Sequence, residues 1–208
     1  MMLEQLTVGV MGVCCYVLGC PETKQAVVID PGGDEDRILA VLERRGLTLR
    51  YICNTHGHPD HVCGNQALKD KTGARIAMHE ADAEFFARPE IDQFFSALGL
   101  PSSPPADVRL ADGDTIEAGS LKLAVIHTPG HTPGGVCFHT PGHCFTGDTL
   151  FVGGVGRTDF PGGDTATLRA SIQNRLFPLP DDTVVWPGHG YGGLRSTIGE
   201  EKRSNPLL

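Results

Sequence analysis

The sequence predicts an α/β protein in which two β-sheets pack face to face and helices cover both outer sides, a four-layer αββα sandwich. Two observations lead to this fold. Short runs rich in valine, isoleucine and leucine alternate with helical patterns, and the order of strands followed by helices occurs twice. The composition, with 40% hydrophobic and 20% charged residues, is typical of a globular protein. We expect residues 1–208 to form a single domain, because this length supplies one sizeable core.

The first half begins with three strands that we expect to form an antiparallel meander. Turns containing glycine separate these runs, which lie at residues 3–10, 13–18 and 25–30. A helix should follow, with Asp34 as its N-cap, because apolar residues then recur at helical spacing. These residues are Ile38, Leu39, Val41 and Leu42. Leu49–Asn54 is predicted to be the next strand.

Three more helices and one strand complete the first half. The helical patterns cover residues 63–72, 80–87 and 90–98, and a strand at Arg75–Met78 lies between the first two. Pro101–Pro105 is interpreted as a surface linker, because it consists of proline and serine.

The second half repeats this order on a new set of strands. Strands are predicted at residues 108–110, 114–118, 121–127, 135–139, 143–147 and Thr183–Trp186. The fourth and fifth of them should form a hairpin through Thr140–Gly142, which contains proline and glycine. A helix is predicted at residues 164–175, capped by Asp164 or Thr165.

Charge and composition argue against several classes of function. The net charge of -8 and the pI near 5.5 disfavour nucleic-acid binding, which needs a basic surface to neutralise phosphates. No apolar run approaches the ~18 residues of a membrane helix, and the N-terminus carries no basic and then apolar leader. We therefore expect a cytoplasmic protein that binds neither membrane nor nucleic acid. The seven cysteines form no CxxC pair and should be reduced and mostly buried.

A dense group of metal-binding side chains follows the strand at Leu49–Asn54. Three histidines and a carboxylate occur within six residues: His56, His58, Asp60 and His61. Imidazole nitrogen and carboxylate oxygen suit zinc and similar divalent ions. Open α/β sheets bind ligands where their strands end, so the position agrees with the chemistry. An isolated histidine would be assigned to the core or the surface, but this cluster predicts a metal site.

Three later turns supply further donors, each after a predicted strand and beside glycine. These donors are His131, Asp148 and His189. Seven donors exceed the three protein ligands that one catalytic zinc takes. Two ions that share a carboxylate would use all seven and would lower the pKa of a water between them, which favours hydrolysis at neutral pH. We do not expect His79, His139 or His143 to bind metal, and His127 is expected beside the ligands rather than among them.

These motifs resemble those of the metallo-β-lactamase superfamily over essentially the whole chain. Four stretches match its motifs in order, the first being its T-H-x-H-x-D-H signature: Thr55–His61, Pro129–Gly134, Gly147–Phe151 and Pro187–Gly190. Within the superfamily the chain is similar to single-domain bacterial glyoxalase II-like hydrolases, through Gly153–Asp164 and Ser196–Pro206. The resemblance implies the four-layer sandwich of the metallo-β-lactamase type.

The resemblance also implies the ligand sets and the reaction. The first metal takes His56, His58 and His131, the second takes Asp60, His61 and His189, and Asp148 bridges them. The ions are expected to be zinc, with iron or manganese as alternatives. In the family a hydroxide that bridges the metals attacks a thioester carbonyl and a thiolate leaves, and Asp60 and Asp148 are the implied catalytic residues. The expected substrate is a small-molecule thioester, an acyl-glutathione such as lactoylglutathione.

Residues that contact the thiol part of the substrate are harder to assign. Two-domain glyoxalase II enzymes hold glutathione through basic residues of a C-terminal helical domain, which we do not expect after Leu208. Basic and phenolic side chains near the predicted site are therefore the candidates: Arg157, Tyr191, Lys202 and Arg203. Of these, Arg157 and Tyr191 are the predicted substrate contacts.

The same donors also suit an oxidoreductase. Persulfide dioxygenases resemble this chain at Gly156–Phe160 and at Tyr191, which soon follows the last histidine. They hold one iron, which here would use two histidines and one carboxylate, a set suited to ferrous oxygen chemistry: His56, His131 and Asp148. Thr149–Phe151, Pro161–Asp164 and Gly188 are more similar to the hydrolase branch. Hydrolysis is therefore the expected activity and persulfide oxidation the alternative.

Three further functions are disfavoured. A nuclease of this superfamily normally needs an added domain to hold its polymer. A β-lactamase usually lacks the second histidine of the Asp60–His61 pair and is secreted. A metal-storage protein would be expected to use thiolate ligands, and the predicted donor set contains none.

Overall fold

The computed structural model describes residues 1–208 and contains two six-stranded sheets, as predicted. The first sheet consists of β1 (Met2–Val8), β2 (Val13–Gly19), β3 (Gln25–Ile29), β4 (Thr48–Cys53), β5 (Arg75–His79) and β6 (Val108–Leu110), which are neighbours in that order. The first three strands form the predicted antiparallel meander. Strands β3 to β6 run parallel, because connections that contain helices return the chain to the same edge each time.

The remaining strands form the second sheet and one small ladder. They are β7 (Thr115–Ala118), β8 (Leu121–His127), β9 (Val136–Thr140), β10 (His143–Gly147), β11 (Leu150–Phe151), β12 (Gly154–Val155), β13 (Val184–Pro187) and β14 (Ser196–Thr197). The second sheet has the order β14-β13-β10-β9-β8-β7, and β11 pairs only with β12. The predicted hairpin of β9 and β10 is confirmed, and β10 runs parallel to β13, so both strands end at the same edge.

Seven α-helices connect and cover the sheets. They are α1 (Glu35–Arg45), α2 (Pro59–Val62), α3 (Asn65–Thr72), α4 (Glu80–Phe85), α5 (Pro89–Ser96), α6 (Thr165–Ser171) and α7 (Ile198–Ser204). A π-helical segment at Ile172–Leu176 continues α6. None of these helices has both the length and the apolar character that crossing a bilayer demands.

Three apolar cores separate the four predicted layers. Strand β2 is buried along its whole length because its side chains alternate between two of them. Tyr16 and Leu18 point between the sheets, whereas Cys15 and Val17 face the outer layer that contains α1 and α3. On the far side of the second sheet, Leu168 of α6 packs with residues of the π-helical segment, α7, β9 and β10. The four-layer αββα architecture is therefore confirmed.

Both predicted N-cap residues occupy the N-cap position of their helix, but only one makes a capping hydrogen bond. Asp164 caps α6, since its side chain accepts a hydrogen bond from the Thr167 amide at 2.7 Å. Asp34 occupies the N-cap position of α1, as predicted, but its side chain makes no capping hydrogen bond. Its backbone is left-handed (φ 53°), and its carboxylate instead accepts from the Gly9 amide and from Arg37. This contact ties α1 to the β1–β2 turn.

All seven cysteines are unpaired, as expected for reduced thiols. Six are buried, and Cys63 is half-buried. The predicted burial of most cysteines is therefore confirmed.

Candidate metal centre

The seven predicted donors meet at one edge of the sandwich. They arrive there because each follows the carboxyl end of a strand: the first four follow β4, and His131, Asp148 and His189 follow β8, β10 and β13. Strand ends that converge at one edge form the usual ligand-binding crevice of α/β sheets. The donors divide into two groups that we call the three-histidine half (His56, His58, His131) and the carboxylate half (Asp60, His61, His189).

The three-histidine half is a compact set of buried imidazoles. One nitrogen from each histidine lies within 4.8 Å of the others, and the ring centroids are 4.6 to 4.8 Å apart. The Nε2 atoms of His56, His58 and His131 are buried and have no hydrogen-bond partner. An unpartnered buried polar atom costs about 1–3 kcal/mol. Three such lone pairs aimed at one point fit a metal cation.

Hydrogen bonds on the far side of two rings fix which nitrogen faces this point. The Arg157 carbonyl, which can only accept, lies 2.7 Å from His131 Nδ1, so Nδ1 carries the proton. The Thr55 hydroxyl donates to Asp30 at 2.6 Å and therefore accepts from His56 Nδ1 at 3.0 Å. Both rings then present an unprotonated Nε2 to the site, the form that binds metal.

The carboxylate half lies beside it and carries negative charge. Asp60 Oδ2 is 3.7 Å from His61 Nε2 and 3.4 Å from His189 Nε2. The two Nε2 atoms are 3.2 Å apart. His61 Nδ1 donates to Asp30 Oδ2 at 3.0 Å, which leaves Nε2 free to face Asp60.

Asp148 lies between the halves and faces both. Its Oδ1 is 3.4 Å from His61 Nε2, and its Oδ2 is 3.6 Å from His131 Nε2 and 3.7 Å from His189 Nε2. Gly188 makes this position possible, because a Cβ there would overlap Asp148 Oδ1. The carboxylate is thus placed where the resemblance predicts a bridging ligand.

The electrostatics of the two halves agree with cation binding. Burial, with help from neighbouring imidazoles, holds the pKa values of His56 and His58 well below the ordinary value, so both stay neutral. Burial would also lower the pKa of His61, but the carboxylates of Asp148, Asp60 and Asp30 raise it to about 10. This half therefore favours a positive charge, which a divalent ion would supply. The donor set fits two metal ions.

Two buried carboxylates that support the donors were missed in the sequence. Asp30 bonds both the Thr55 amide (2.8 Å) and His61 from the end of β3. Asp82 of α4 accepts hydrogen bonds from the Gly57 and Gly134 amides, which belong to two different donor loops. Burial raises the pKa of Asp82 to about 6 despite these bonds. Neither residue lies in a recognisable sequence motif, because each contacts partners that are distant in sequence.

The predicted substrate residues line one cavity together with Asp148. This cavity, of about 420 Å³, includes Arg157 and Tyr191. The Tyr191 ring stacks on His189 with centroids 4.9 Å apart and planes 9° apart. The Arg157 guanidinium pairs with Asp159 and lies 3.7 Å above the centre of the Phe160 ring. Lys202 does not line this cavity and pairs with Asp181 instead.

A larger cavity of about 650 Å³ lies behind the first donor loop. It is bounded by Gly57, Pro59, Phe86 and Phe95 and contains none of the seven donors. The smaller cavity is therefore the one that reaches the candidate metal centre.

The remaining histidines lie outside the donor groups, as expected. His79 and His127 stack on each other with centroids 4.1 Å apart, and His143 accepts a hydrogen bond from the Trp186 indole. The half-buried Cys63 is likewise absent from the groups.

Comparison with known proteins agrees with the motifs. A family model for the metallo-beta-lactamase superfamily matches residues 8–189. The hydroxyacylglutathione hydrolase GloC of Haemophilus influenzae is 41% identical over 191 residues, which cover 90% of this chain and 89% of GloC. The mitochondrial persulfide dioxygenase ETHE1 of Homo sapiens is 36% identical over 211 residues, which cover 100% of this chain and 76% of ETHE1.

Solved structures show the same fold. The crystal structure of BLEG-1, a B3 metallo-beta-lactamase, superposes with a TM-score of 0.90 at 36% identity and covers 100% of this chain and 99% of BLEG-1. The structure of TTHA1623 in a di-iron-bound form superposes with a TM-score of 0.86 at 35% identity and covers 99% of this chain and 100% of TTHA1623.

Proposed function

The chain belongs to the metallo-β-lactamase superfamily, and from this premise we propose that it is a metal-dependent hydrolase of thioesters. The proposed substrate is an acyl-glutathione such as lactoylglutathione. The similarity to GloC, at 41% identity over nine-tenths of both chains, supports this choice.

The observation that carries the proposal is the position of Asp148 between two complete donor sets. Its Oδ1 faces His61 at 3.4 Å, and its Oδ2 faces both His131 and His189, at 3.6 and 3.7 Å. A carboxylate that lies within 4 Å of histidines from both halves suits a pair of ions rather than one. His56, His58 and His131 would hold the first ion, Asp60, His61 and His189 the second, and Asp148 both. When bound, two divalent ions would lower the pKa of a coordinated water and polarise a carbonyl.

The protein's own side chains would orient the reactants. Asp60 and Asp148 are 14% and 11% exposed, so their carboxylates border the open side of the site and can accept hydrogen bonds from the attacking water. Arg157 and Tyr191, in the cavity that includes Asp148, would contact the thiol part of the substrate. We propose zinc as the metal, with iron or manganese as alternatives. The iron alternative is supported by TTHA1623, whose structure has been solved in a di-iron-bound form.

A second candidate is a persulfide dioxygenase that holds one iron through His56, His131 and Asp148. The specific observation in its favour is the 36% identity to ETHE1 over the full length of this chain. Both candidates share fold and donors, so the reaction itself must distinguish them.

The deciding experiment compares the two reactions on one preparation of the purified protein. Release of glutathione from S-lactoylglutathione is followed by a thiol reagent, and oxygen uptake with glutathione persulfide is followed by an electrode. The proposal predicts thiol release and no oxygen uptake. Oxygen uptake without thioester cleavage would replace it with the dioxygenase.

We also propose that residues 1–208 act as one catalytic domain in the cytoplasm with a small-molecule thioester as partner. The shared core between the sheets supports one domain, and the net charge of -8 supports the absence of a nucleic-acid partner.

A further inference from the structure

Asp82 connects the two loops that carry the three-histidine half. Its carboxylate accepts hydrogen bonds from the Gly57 amide (2.9 Å), the Thr132 hydroxyl (2.8 Å) and the Gly134 amide (2.6 Å). Gly57 lies between two of the histidines, and Thr132 directly follows the third. One side chain therefore joins loops that are about 75 residues apart in sequence. It adds to a backbone hydrogen bond from the Val136 amide to the Thr55 carbonyl at 2.8 Å.

The surroundings of the Asp82 carboxylate hold it in a fixed position but lower the stability of the folded protein. Asp82 is fully buried, and its three partners are all uncharged. A buried charge without a cation costs free energy, even where hydrogen bonds compensate part of it. Gly134 allows the close approach, because a Cβ there would lie 2.8 Å from both Cβ and Oδ1 of Asp82.

Helix α4 is held against the same loop at a second point. His79 caps the helix by accepting a hydrogen bond from the Ala81 amide at 3.2 Å. Its ring stacks on His127, whose Nε2 donates to the Pro133 carbonyl at 3.0 Å. Asp82 therefore projects from a helix that cannot shift independently of the His131 loop.

We propose that Asp82 is a positioning residue that sets the separation of His56 and His58 from His131 and thereby the metal affinity of the three-histidine half. The carboxylate half depends on it less, because none of the three partners of Asp82 belongs to that half and Asp30 holds His61 separately. The inference rests on the proposed function in one respect, the assignment of these histidines as metal ligands.

The change Asp82→Asn tests this with little change of shape. The amide keeps one acceptor oxygen but places an N–H₂ donor against an N–H or O–H donor, so at least one of the three bonds is lost. Loss of residues that orient metal ligands typically lowers metal affinity about 10–100-fold. We expect this loss of metal affinity in the three-histidine half and not in the carboxylate half.

Zinc affinity is measured in competition with a chromophoric chelator, in two backgrounds that isolate the halves. Asp60→Ala disables the carboxylate half, and His58→Ala disables the three-histidine half. Asp82→Asn should lower affinity about 10–100-fold in the first background and less than about threefold in the second, as for independent sites. No loss in the first background, or equal loss in both, overturns the proposal.

Glu201→Gln is the matched control, because Glu201 is also a buried carboxylate bound by uncharged donors. It accepts from the Gly153 amide at 3.0 Å, the Ser196 hydroxyl and the Asn205 amide, none of which contacts Asp82. The control should lower the melting temperature while zinc affinity stays unchanged in both backgrounds. An equal loss of zinc affinity in this control would mean that any buried carboxylate has the effect, which contradicts the proposal.

Two milder variants keep the test decisive if Asp82→Asn does not fold. Thr132→Val removes one of the three bonds and should weaken zinc binding in the Asp60→Ala background, whereas Thr132→Ser keeps the hydroxyl and should restore it. Equal affinity of the two variants contradicts the proposal. Absence of zinc binding in both backgrounds, with Asp82 intact, contradicts the proposed function instead.

Discussion

The two halves of the candidate metal centre share an edge of the sandwich but differ in charge and surroundings. The three-histidine half is electrically neutral, and phenylalanines surround it: the His58 ring contacts Phe86, Phe95 and Phe160 with centroids 4.9 to 5.9 Å away. The carboxylate half contains Asp60, borders Asp148, and is supported by Asp30, whose carboxylate bonds His61 directly and reaches His56 only through Thr55.

This difference indicates that the halves select their ions in different ways. Nitrogen ligands in an apolar wall suit borderline ions such as zinc, whereas added carboxylate oxygen also suits harder ions such as manganese and iron. The first half therefore depends on geometry, held through Asp82 and the His131–Arg157 contact. The second half depends more on charge.

The largest effect is expected where the halves meet. Asp148→Ala removes the one carboxylate that faces both, so metal content should fall and kcat for thioester cleavage should drop about 10³-fold, equivalent to ~4 kcal/mol. Atomic emission analysis and thiol-release kinetics measure the two quantities. His143→Ala is the control, since His143 contacts Trp186 and no donor, and it should leave both near normal. Equal loss in the two variants would mean that the site is assigned wrongly.

The next effect tests whether charge dominates the second half. Asp30→Asn removes the anion behind His61 while it keeps the size of the side chain, and zinc affinity in the His58→Ala background should fall about 10–100-fold. Chelator competition measures this change. A variant that binds zinc as tightly as its parent would contradict the claim that the carboxylate half depends more on charge than the three-histidine half.

A smaller effect is expected in the pH dependence of folding stability, and it comes from Asp82, which supports the three-histidine half. Burial raises the folded-state pKa of Asp82 to about 6, above the ~3.9 of an unfolded aspartate. The folded state therefore binds more protons between these values, so this group adds stability as the pH falls and loses it as the pH rises through about 6. Relative to Asp82→Asn, the parent should gain about 1 kcal/mol of unfolding free energy from pH 7 to pH 5.

Urea unfolding of both proteins, with metal removed by a chelator in each, measures this difference. Proton uptake by the remaining histidines is common to the two proteins and cancels in the comparison. A constant difference across this pH range would show that Asp82 does not titrate as its burial implies.

The smallest effect concerns the substrate cavity beside the halves. Arg157 is exposed and already paired with Asp159, so Arg157→Ala should raise KM for an acyl-glutathione about fivefold and leave kcat nearly unchanged. Arg109→Ala, which removes an exposed arginine paired with Glu84, is the control and should change neither constant. A fall in kcat with constant KM would give Arg157 a role in the reaction rather than in binding.

Much of the site could be predicted from the sequence because its donors follow strand ends. Hydrophobic runs locate the strands, and the turns after β4, β8, β10 and β13 then bring His56, His131, Asp148 and His189 to one edge. The layers could be predicted for the same reason, since the apolar patterns alternate at the period of strands and helices.

The supporting residues could not be predicted, because their roles depend on contacts across the fold. Asp82 lies in a short helix where a carboxylate usually faces solvent, yet it is fully buried against Gly57 and Gly134. The ladder of β11 and β12 and the strand β14 were also missed, since elements of two residues carry no periodic pattern.

The requirement for both halves is tested by restoring metal to the metal-free protein. Zinc is added in steps, and S-lactoylglutathione cleavage is measured at each step. This requirement predicts that the rate rises until two ions are bound per chain and that glutathione persulfide causes no oxygen uptake. Full activity with one iron per chain, together with oxygen uptake, would contradict it.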